Sequence, residues 1–192
     1  MERERTTAEE IAEFVLRVSE ADFADGALDR LKRSVLDTLG CAIGALASDP
    51  VHRIRAVADE LGGPGKCMVI GGGLAAPDRA AFVNGCLVRY LDFMNNYVAK
   101  GEVCHPNDNF AAMLAAAQYA GRSGRELLIG LAVAYQAQCR LIESLPTMRA
   151  GLNYTPRLAF SVAAGAARLL GFDENRTAHA LALAGVSSIS LG

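Results

Sequence analysis

The chain has 192 residues, enough for one domain with a hydrophobic core and too few for two of ordinary size. Hydrophobic residues make up 52% and charged residues 21% of the sequence, a balance typical of a folded globular protein rather than a disordered one. The formal net charge is −2, and the basic residues form no block, so the composition argues against a nucleic-acid-binding protein.

The amino-terminal residues are charged and lead directly into a helix signal, without the apolar core of a secretory signal peptide. The longest apolar stretches, around 127–134 and 160–170, are shorter than the roughly 20 residues of a membrane-spanning helix. We therefore expect a cytoplasmic protein without a membrane partner. The five cysteines are scattered and form no CxxC pair, which predicts reduced thiols, mostly in the core, and no metal site.

The first half of the chain contains four segments with apolar residues at helical spacing. A capping-box pattern at residues 7–10 predicts the start of the first helix. The next three helices are predicted at about 25–46, at 50–61 with Pro50 in the first turn, and at 77–93. Glycine-rich turns flank residues 67–70, which we expect to form one short extended segment.

In the second half, an irregular polar segment at 95–108 is followed by predicted helices at 109–120, 124–145, 155–170 and 174–187. These helices are rich in alanine and apolar on more than one face, and the stretch 160–167 is expected to lie at the centre of a bundle. Alternating strand pairs are not found in the sequence. The pattern predicts an all-α multi-helix bundle that forms a single domain over residues 1–192. Because the sequence stops at 187–192 without a polar tail, we expect the bundle to be incomplete at its C-terminus.

The polar segment combines carboxylates, amides, phenols and an imidazole within a short stretch of an apolar chain. The unperturbed pKa of histidine lies near neutrality, so His105 is suited to general acid–base chemistry, and Asp92 is placed to orient the imidazole or to accept a proton itself. The alternative is an ordinary loop in which Asn107 or Asp108 caps the following helix. A pair between Cys104 and His105 is disfavoured, because adjacent side chains in an extended segment point in opposite directions.

Several motifs, taken together in this order and spacing, resemble the MmgE/PrpD family over the whole chain. They are LDTLGC at 36–41, NG at 84–85, LDF at 91–93, HPNDN at 105–109, YQAQCRL at 135–141 and AAGAARLLG at 163–171. The family includes 2-methylcitrate dehydratase, cis-aconitate decarboxylase and iminodisuccinate epimerase. The resemblance implies a helical domain that in family members is joined to a smaller α/β lid domain; we expect this chain to be most of the first helical segment, without the lid and the later catalytic lysine region. It also implies a reaction without a cofactor, a place in propionate metabolism, and a partner that is a second copy or a complementary lid-bearing chain.

Carried over residue by residue, the resemblance assigns His105 and Asp92 to the catalytic positions. It assigns substrate binding to Asn96, Tyr97, Asn153 and Tyr154. Asn96 stands where many members have threonine, and Asn153 stands where the family commonly has a second histidine. Asparagine can form hydrogen bonds but carries no titratable proton, and the phenol of Tyr154 is a poor base at neutral pH.

Two classes of function follow. The first is a lyase that removes water from a small hydroxy-polycarboxylate such as 2-methylcitrate. Decarboxylation or epimerisation of a related acid remains open, because all three reactions could share a carbanion-like intermediate beside a carboxylate. The second is a non-catalytic, truncated or split helical subunit that assembles with a lid-bearing chain. The replacement at Asn153 favours the second class, and the His105 motif favours the first.

Overall fold

The computed structural model describes residues 4–63, 65–99, 101–148 and 151–189. In these ranges the chain forms α1 (Thr7–Arg17), α2 (Ala27–Gly44), α3 (Asp49–Leu61), α4 (Pro77–Tyr90), α5 (Phe110–Tyr119), α6 (Gly124–Ser144), α7 (Thr155–Leu170) and α8 (Glu174–Ser188). Two 3₁₀-helices (Glu20–Asp22 and Pro106–Asn109) and four short strands, β1 (Cys67–Met68), β2 (Leu74–Ala75), β3 (Tyr97–Ala99) and β4 (Glu102–Cys104), connect them. The predicted all-α class is confirmed.

The start of α1 differs by one residue from the prediction. The capping box is formed by Thr6 and Glu9 rather than by residues 7 and 10. The Thr6 hydroxyl accepts the Glu9 backbone N–H at 3.3 Å, and the Glu9 carboxylate accepts the Thr6 N–H at 2.8 Å. Both spacings exist in the sequence because Thr6 and Thr7, like Glu9 and Glu10, are neighbours, so the pattern alone does not choose between them.

Two β-hairpins are present, although the sequence pattern predicts no strand pairs. In the first, β1 pairs antiparallel with β2, and in the second, β3 pairs antiparallel with β4 in the register Tyr97↔Cys104. Gly101 supplies a φ of +82° in the turn between β3 and β4. These strands have two or three residues each, which is too short for an apolar–polar alternation to be recognised.

Helix α7 lies at the centre of the bundle, where it packs against α1, α5, α6 and α8. This confirms the prediction for residues 160–167, whose small side chains let neighbouring backbones approach. Gly165 lies against both α6 and α5: an added Cβ atom would lie 2.9 Å from the Gly130 carbonyl oxygen and 2.9 Å from the Ala134 Cβ on α6, and closer still to Met113 Sδ on α5. The glycine at 165 therefore sets the distance between α6 and α7.

We expect Gly165→Ala to lower the free energy of unfolding by about 1–3 kcal/mol, because the added methyl group has no space between the helices. Gly40→Ala is the matched control, since a Cβ atom there meets nothing within 4 Å and α2 gains helix propensity. Urea unfolding of both variants measures the difference. Equal stability of the two variants would contradict the tight α6–α7 contact.

None of the helices in the described ranges is long and apolar enough to cross a membrane. The expectation of an unfinished C-terminal end depends in part on residues 190–192, which lie outside the described residues. The turn predicted around 62–65 also includes one such position, residue 64.

Candidate functional site

The predicted polar segment connects α4 to α5 and is more ordered than a plain loop. After α4 ends at Tyr90, Asp92 adopts a φ of +58°, the one positive φ of a non-glycine residue in the described chain. Aspartate tolerates this left-handed conformation better than most residues, and it turns the chain sharply away from the helix axis. The chain then forms the β3–β4 hairpin, and His105 follows directly before the second 3₁₀-helix.

The imidazole of His105 is held by the backbone of the same segment. Its Nδ1 lies 3.1 Å from the carbonyl oxygen of Asn95. A carbonyl oxygen can only accept a hydrogen bond, so Nδ1 carries the proton. In the neutral ring Nε2 then has a free lone pair, which is the form a general base requires.

Asn95 is itself fixed on two sides, and so it holds the His105 ring in place. Its side-chain oxygen accepts the backbone N–H of Asn107 at 3.0 Å, and its Nδ2 donates to the Ser34 hydroxyl at 2.9 Å. That hydroxyl lies 3.3 Å from the Tyr135 hydroxyl on α6. These contacts join the loop to α2 and α6, which are distant in sequence.

Tyr154 and Asp108 form the other side of the site. The Tyr154 hydroxyl donates to Asp108 Oδ2 at 2.6 Å. The rings of Tyr154 and His105 are in an edge-to-face arrangement, with centroids 5.4 Å apart and planes at 79°. The alternative interpretation of Asp108 as a helix cap is therefore wrong, because its carboxylate binds the phenol at the start of α7.

Burial has the largest effect on the Asp108 carboxyl group and raises its pKa above the ordinary value. The hydrogen bond from Tyr154 acts in the opposite direction, as do the positive charges of Arg89 and His105, while Asp92 adds to the rise. Burial and the neighbouring Asp108 also raise the pKa of Tyr154, so its phenol remains a hydrogen-bond donor at neutral pH. Five ionisable groups from α4, the loop and α7 are thus electrostatically linked.

Asp92 does not orient the imidazole by a hydrogen bond, since Asn95 occupies Nδ1. Its exposed carboxylate instead accepts a hydrogen bond from Arg89 at 2.9 Å. The side chain of Arg89 is 44% exposed, and its guanidinium has more donors than the one bond to Asp92 uses, so it can also bind an incoming carboxylate.

The remaining predicted residues lie around this centre with different contacts. Tyr97 donates a hydrogen bond to Glu143 on α6, and this bond raises the pKa of Tyr97 to about 12. Asn153 is exposed, and its carbonyl oxygen accepts from Thr147 at 3.2 Å. Asn96 is also exposed. Only Tyr154 of the four predicted substrate-binding residues contacts the His105 ring among the described residues.

Three residues of the site, Asn95, Arg89 and Asp108, are not among those predicted from the sequence. Arg89 lies three residues before Asp92 at the end of α4, a spacing that favours an ion pair and is visible in the sequence. Asp108 and Asn95 carry no comparable local signal, because their partners Tyr154 and Ser34 are 46 and 61 positions away.

A cavity of about 590 Å³ lies beside the site, between α1, α2 and α6. Its walls are largely apolar, and the polar residues Ser34, Asn95 and Tyr135 face it from the side nearest the loop. Within the described residues there is no group of three or more His, Cys, Asp and Glu side chains that could hold a metal ion.

We expect Tyr154→Phe to raise the pKa of Asp108 further, because burial remains while the hydrogen bond that lowers this pKa is lost. The folded state then binds the Asp108 proton more tightly than the unfolded chain does. The protonated carboxyl group therefore contributes to the free energy of unfolding at low pH. This contribution is lost as the pH rises through the folded-state pKa. Carboxyl ¹³C NMR titration measures the shift. Tyr119→Phe, at the opposite end of α5, is the control, and an unchanged or lower Asp108 pKa in Tyr154→Phe would contradict the expectation.

Comparison with known proteins agrees with the motifs. The family described as MmgE/PrpD N-terminal domain matches residues 9–192. The probable 2-methylcitrate dehydratase of Saccharomyces cerevisiae is 26% identical over 180 aligned positions, covering 86% of this chain and 35% of that protein. The 2-methylcitrate dehydratases of Escherichia coli strain K12 and Cupriavidus necator are 28% and 29% identical, each over 86% of this chain and 36% of the relative. This chain spans about a third of the length of these relatives. Because the family match covers nearly all of its residues, the chain belongs to the MmgE/PrpD family.

Proposed function

We propose that this chain is the helical part of a lyase that removes water from a small hydroxy-polycarboxylate such as 2-methylcitrate, with His105 as the proton acceptor. The observation that carries the proposal is the hydrogen bond between His105 Nδ1 and the Asn95 carbonyl, which leaves Nε2 as the basic nitrogen. Relatives named 2-methylcitrate dehydratase support the choice of reaction.

The elimination requires a proton to leave the carbon next to a carboxylate. In the proposed step this proton moves to His105 Nε2, the C–H electron pair forms the double bond, and the C–O bond breaks. The leaving hydroxyl takes up a proton from solvent and departs as water, and His105 then returns its proton to solvent. The imidazolium that forms is stabilised by the neighbouring Asp108, whose charge interacts with His105. The proposed reaction needs no cofactor.

A polycarboxylate substrate also needs positive charge. Arg89 pairs with Asp92 at the start of the loop, and its planar guanidinium matches a carboxylate in a two-point hydrogen bond. Asp92, paired with Arg89, is the second candidate for proton transfer. Asn96, Tyr97, Asn153 and Tyr154 remain proposed substrate-binding residues, with Tyr154 closest to the imidazole.

The working assembly in this proposal is a homodimer, or this chain with a complementary lid-bearing chain, in the cytoplasm. Exposed large apolar side chains support a covering partner: Leu36 on α2, Phe93 in the loop and Val186 on α8 are each about 70% exposed.

The test is turnover of 2-methylcitrate, citrate and cis-aconitate by the chain, alone and together with the protein encoded next to it. Alkene formation is followed by ultraviolet absorbance, carbon dioxide release by a coupled assay, and epimerisation by optical rotation. Alkene formation from a hydroxy acid supports the proposal. Carbon dioxide release or epimerisation alone would replace dehydration by the corresponding alternative, and no turnover of any acid by a folded assembly would favour the non-catalytic subunit.

A further inference from the structure

Three polar side chains from three different elements meet in the interior of the bundle, beside the candidate site. They are Asn109 at the end of the second 3₁₀-helix, Gln138 on α6 and Ser161 on α7, and all three are fully buried. Asn109 Nδ2 donates to Gln138 Oε1 at 2.7 Å, and the Ser161 hydroxyl donates to Asn109 Oδ1 at 2.8 Å. These bonds form a buried polar network, with Asn109 at its centre, that joins the 3₁₀-helix to α6 and α7.

The orientation of the Asn109 amide follows from its contacts. Nδ2 also lies 2.8 Å from the Pro106 carbonyl oxygen, which can only accept a hydrogen bond, so the amide nitrogen faces this side. Both Nδ2 hydrogens are thus in use, one to Pro106 and one to Gln138, while Oδ1 accepts the Ser161 hydroxyl. An aspartate of the same shape would place an acceptor opposite two other acceptors, so this position requires an amide.

The network acts on the segment that carries His105. Asn109 is bonded to the carbonyl of Pro106, which directly follows His105 in the chain. In the same 3₁₀-helix, Asn107 donates its backbone N–H to the Asn95 side chain at 3.0 Å. Asn95 also provides the carbonyl oxygen at His105 Nδ1. A shift of the 3₁₀-helix relative to α6 and α7 therefore alters the contact between the imidazole and this carbonyl.

The network is not the arrangement that would stabilise the interior most. Gln138 Nε2 is buried and has no hydrogen-bond partner among the described residues. An unpaired buried amide group is unfavourable, and an apolar side chain of similar volume would avoid this cost. The donors and acceptors of such a network match in only one arrangement of the surrounding elements. This balance favours a role in position over a role in stability.

We propose that Asn109 is a positioning residue of the candidate site, with Gln138 and Ser161 as its supports on α6 and α7. Asn109 fixes the 3₁₀-helix so that the His105 imidazole stays at the Asn95 carbonyl, with Nε2 as its basic nitrogen. The kinetic consequence rests on the proposed lyase function. The effect on the imidazole does not, and it is measured without turnover.

The first measurement is ¹⁵N–¹H NMR of the imidazole nitrogens at a pH above the range in which the ring titrates. His105→Gln identifies the signals of His105 among those of the three histidines. Gln138→Met removes an acceptor of Asn109 at similar volume, and Ser161→Ala removes its donor. In both variants we expect the Nδ1–H signal of His105 to be lost and its two nitrogen shifts to move towards each other, because the ring exchanges between tautomers. Wild-type His105 shifts in the folded variants would overturn the proposal.

Two controls match these changes outside the network. Gln136→Met alters the same residue type on the same helix, but Gln136 is exposed. Ser187→Ala removes an exposed hydroxyl on α8 that donates to the carbonyl three residues earlier, as the Ser161 hydroxyl also does. Both controls should keep the wild-type His105 shifts.

Thr177→Val separates position from general stability. Thr177 on α8 is fully buried, and its hydroxyl donates to the Asp173 carbonyl at the start of the same helix. This variant should lose stability in urea unfolding and keep the wild-type His105 shifts. A change of these shifts as large as in Ser161→Ala would mean that the ring reports only a loss of stability, and the proposal would fail.

The second measurement is steady-state kinetics of an active assembly. Gln138→Met and Ser161→Ala should each lower kcat by about 10–100-fold, the effect expected when a catalytic group is displaced by about 1 Å, with KM changed by less than about twofold. Wild-type kcat in both variants would overturn the proposal. If no acid is turned over, the proposed function fails, and the NMR result still decides whether the network positions His105. Ser161→Ala removes a single oxygen atom and keeps the test available if Gln138→Met does not fold.

Discussion

Replacing His105 by alanine is expected to lower kcat of the active assembly by about 10²–10⁴-fold, the range that a positioned general base contributes. The Asn95 carbonyl orients the imidazole so that Nε2 is the basic nitrogen, and alanine removes this group without replacing it. His105→Gln should lose activity to a similar extent, because an amide can form the hydrogen bond but cannot accept the substrate proton.

Two controls separate catalysis from folding. His179 is exposed on α8, and His179→Ala should retain wild-type turnover. Circular dichroism and thermal unfolding of His105→Gln should match those of the wild type, because the partly buried ring position keeps a polar side chain of similar length. Steady-state kinetics with the acid that is turned over gives kcat and KM. Unchanged kcat in His105→Ala would remove His105 from the mechanism.

The helices could be predicted because each has an apolar stripe at the helical period, and their bounds differ from the prediction by one to three residues at most ends. The main exceptions are the short strands. Strand β4 has three residues and is fixed by its partner β3 and by the side chain of Glu102, neither of which produces a periodic signal. Tertiary contacts, rather than local preference, determine this part of the chain.

The candidate site was predictable only where a motif marked it. His105 stands out as an imidazole in a polar loop and in the family motif, whereas the partner of its Nδ1 is a backbone carbonyl, which every residue has. Asp108 was interpreted as a cap because it precedes a helix, a position where aspartate is common. Its contact with Tyr154 depends on how α7 docks against the loop, and that docking follows from packing over the whole bundle.

The second large effect concerns stability. Arg157 on α7 and Glu102 on β4 form an ion pair of 2.9 Å in which both side chains are only 1% exposed. Arg157 also donates to the Leu145 carbonyl, and Glu102 accepts the backbone N–H of Met148 at 3.1 Å. The pair thus joins the hairpin that leads to His105 to α7 and to the segment after α6.

We expect Arg157→Met to lower the free energy of unfolding by about 3–5 kcal/mol, because the buried carboxylate of Glu102 loses the positive charge beside it. For a chain of this length the loss corresponds to a fall in Tm of roughly 10 °C. Glu102→Gln, which keeps an acceptor for Met148, should also be destabilising. The matched surface control is Arg17→Met, which removes an exposed pair with Glu13 and should cost less than about 1 kcal/mol.

The double variant Glu102→Gln/Arg157→Met distinguishes charge coupling from a loss of packing. If the two charges stabilise each other in the folded state, removing both should cost clearly less than the sum of the two single changes, since no isolated buried charge remains. Urea unfolding of the four proteins gives the coupling free energy. Strict additivity would mean that the destabilisation comes from lost packing and hydrogen bonds to the backbone. In that case the hairpin would be held to α7 by shape and hydrogen bonding, and His105 would depend on these contacts rather than on the ion pair for its position.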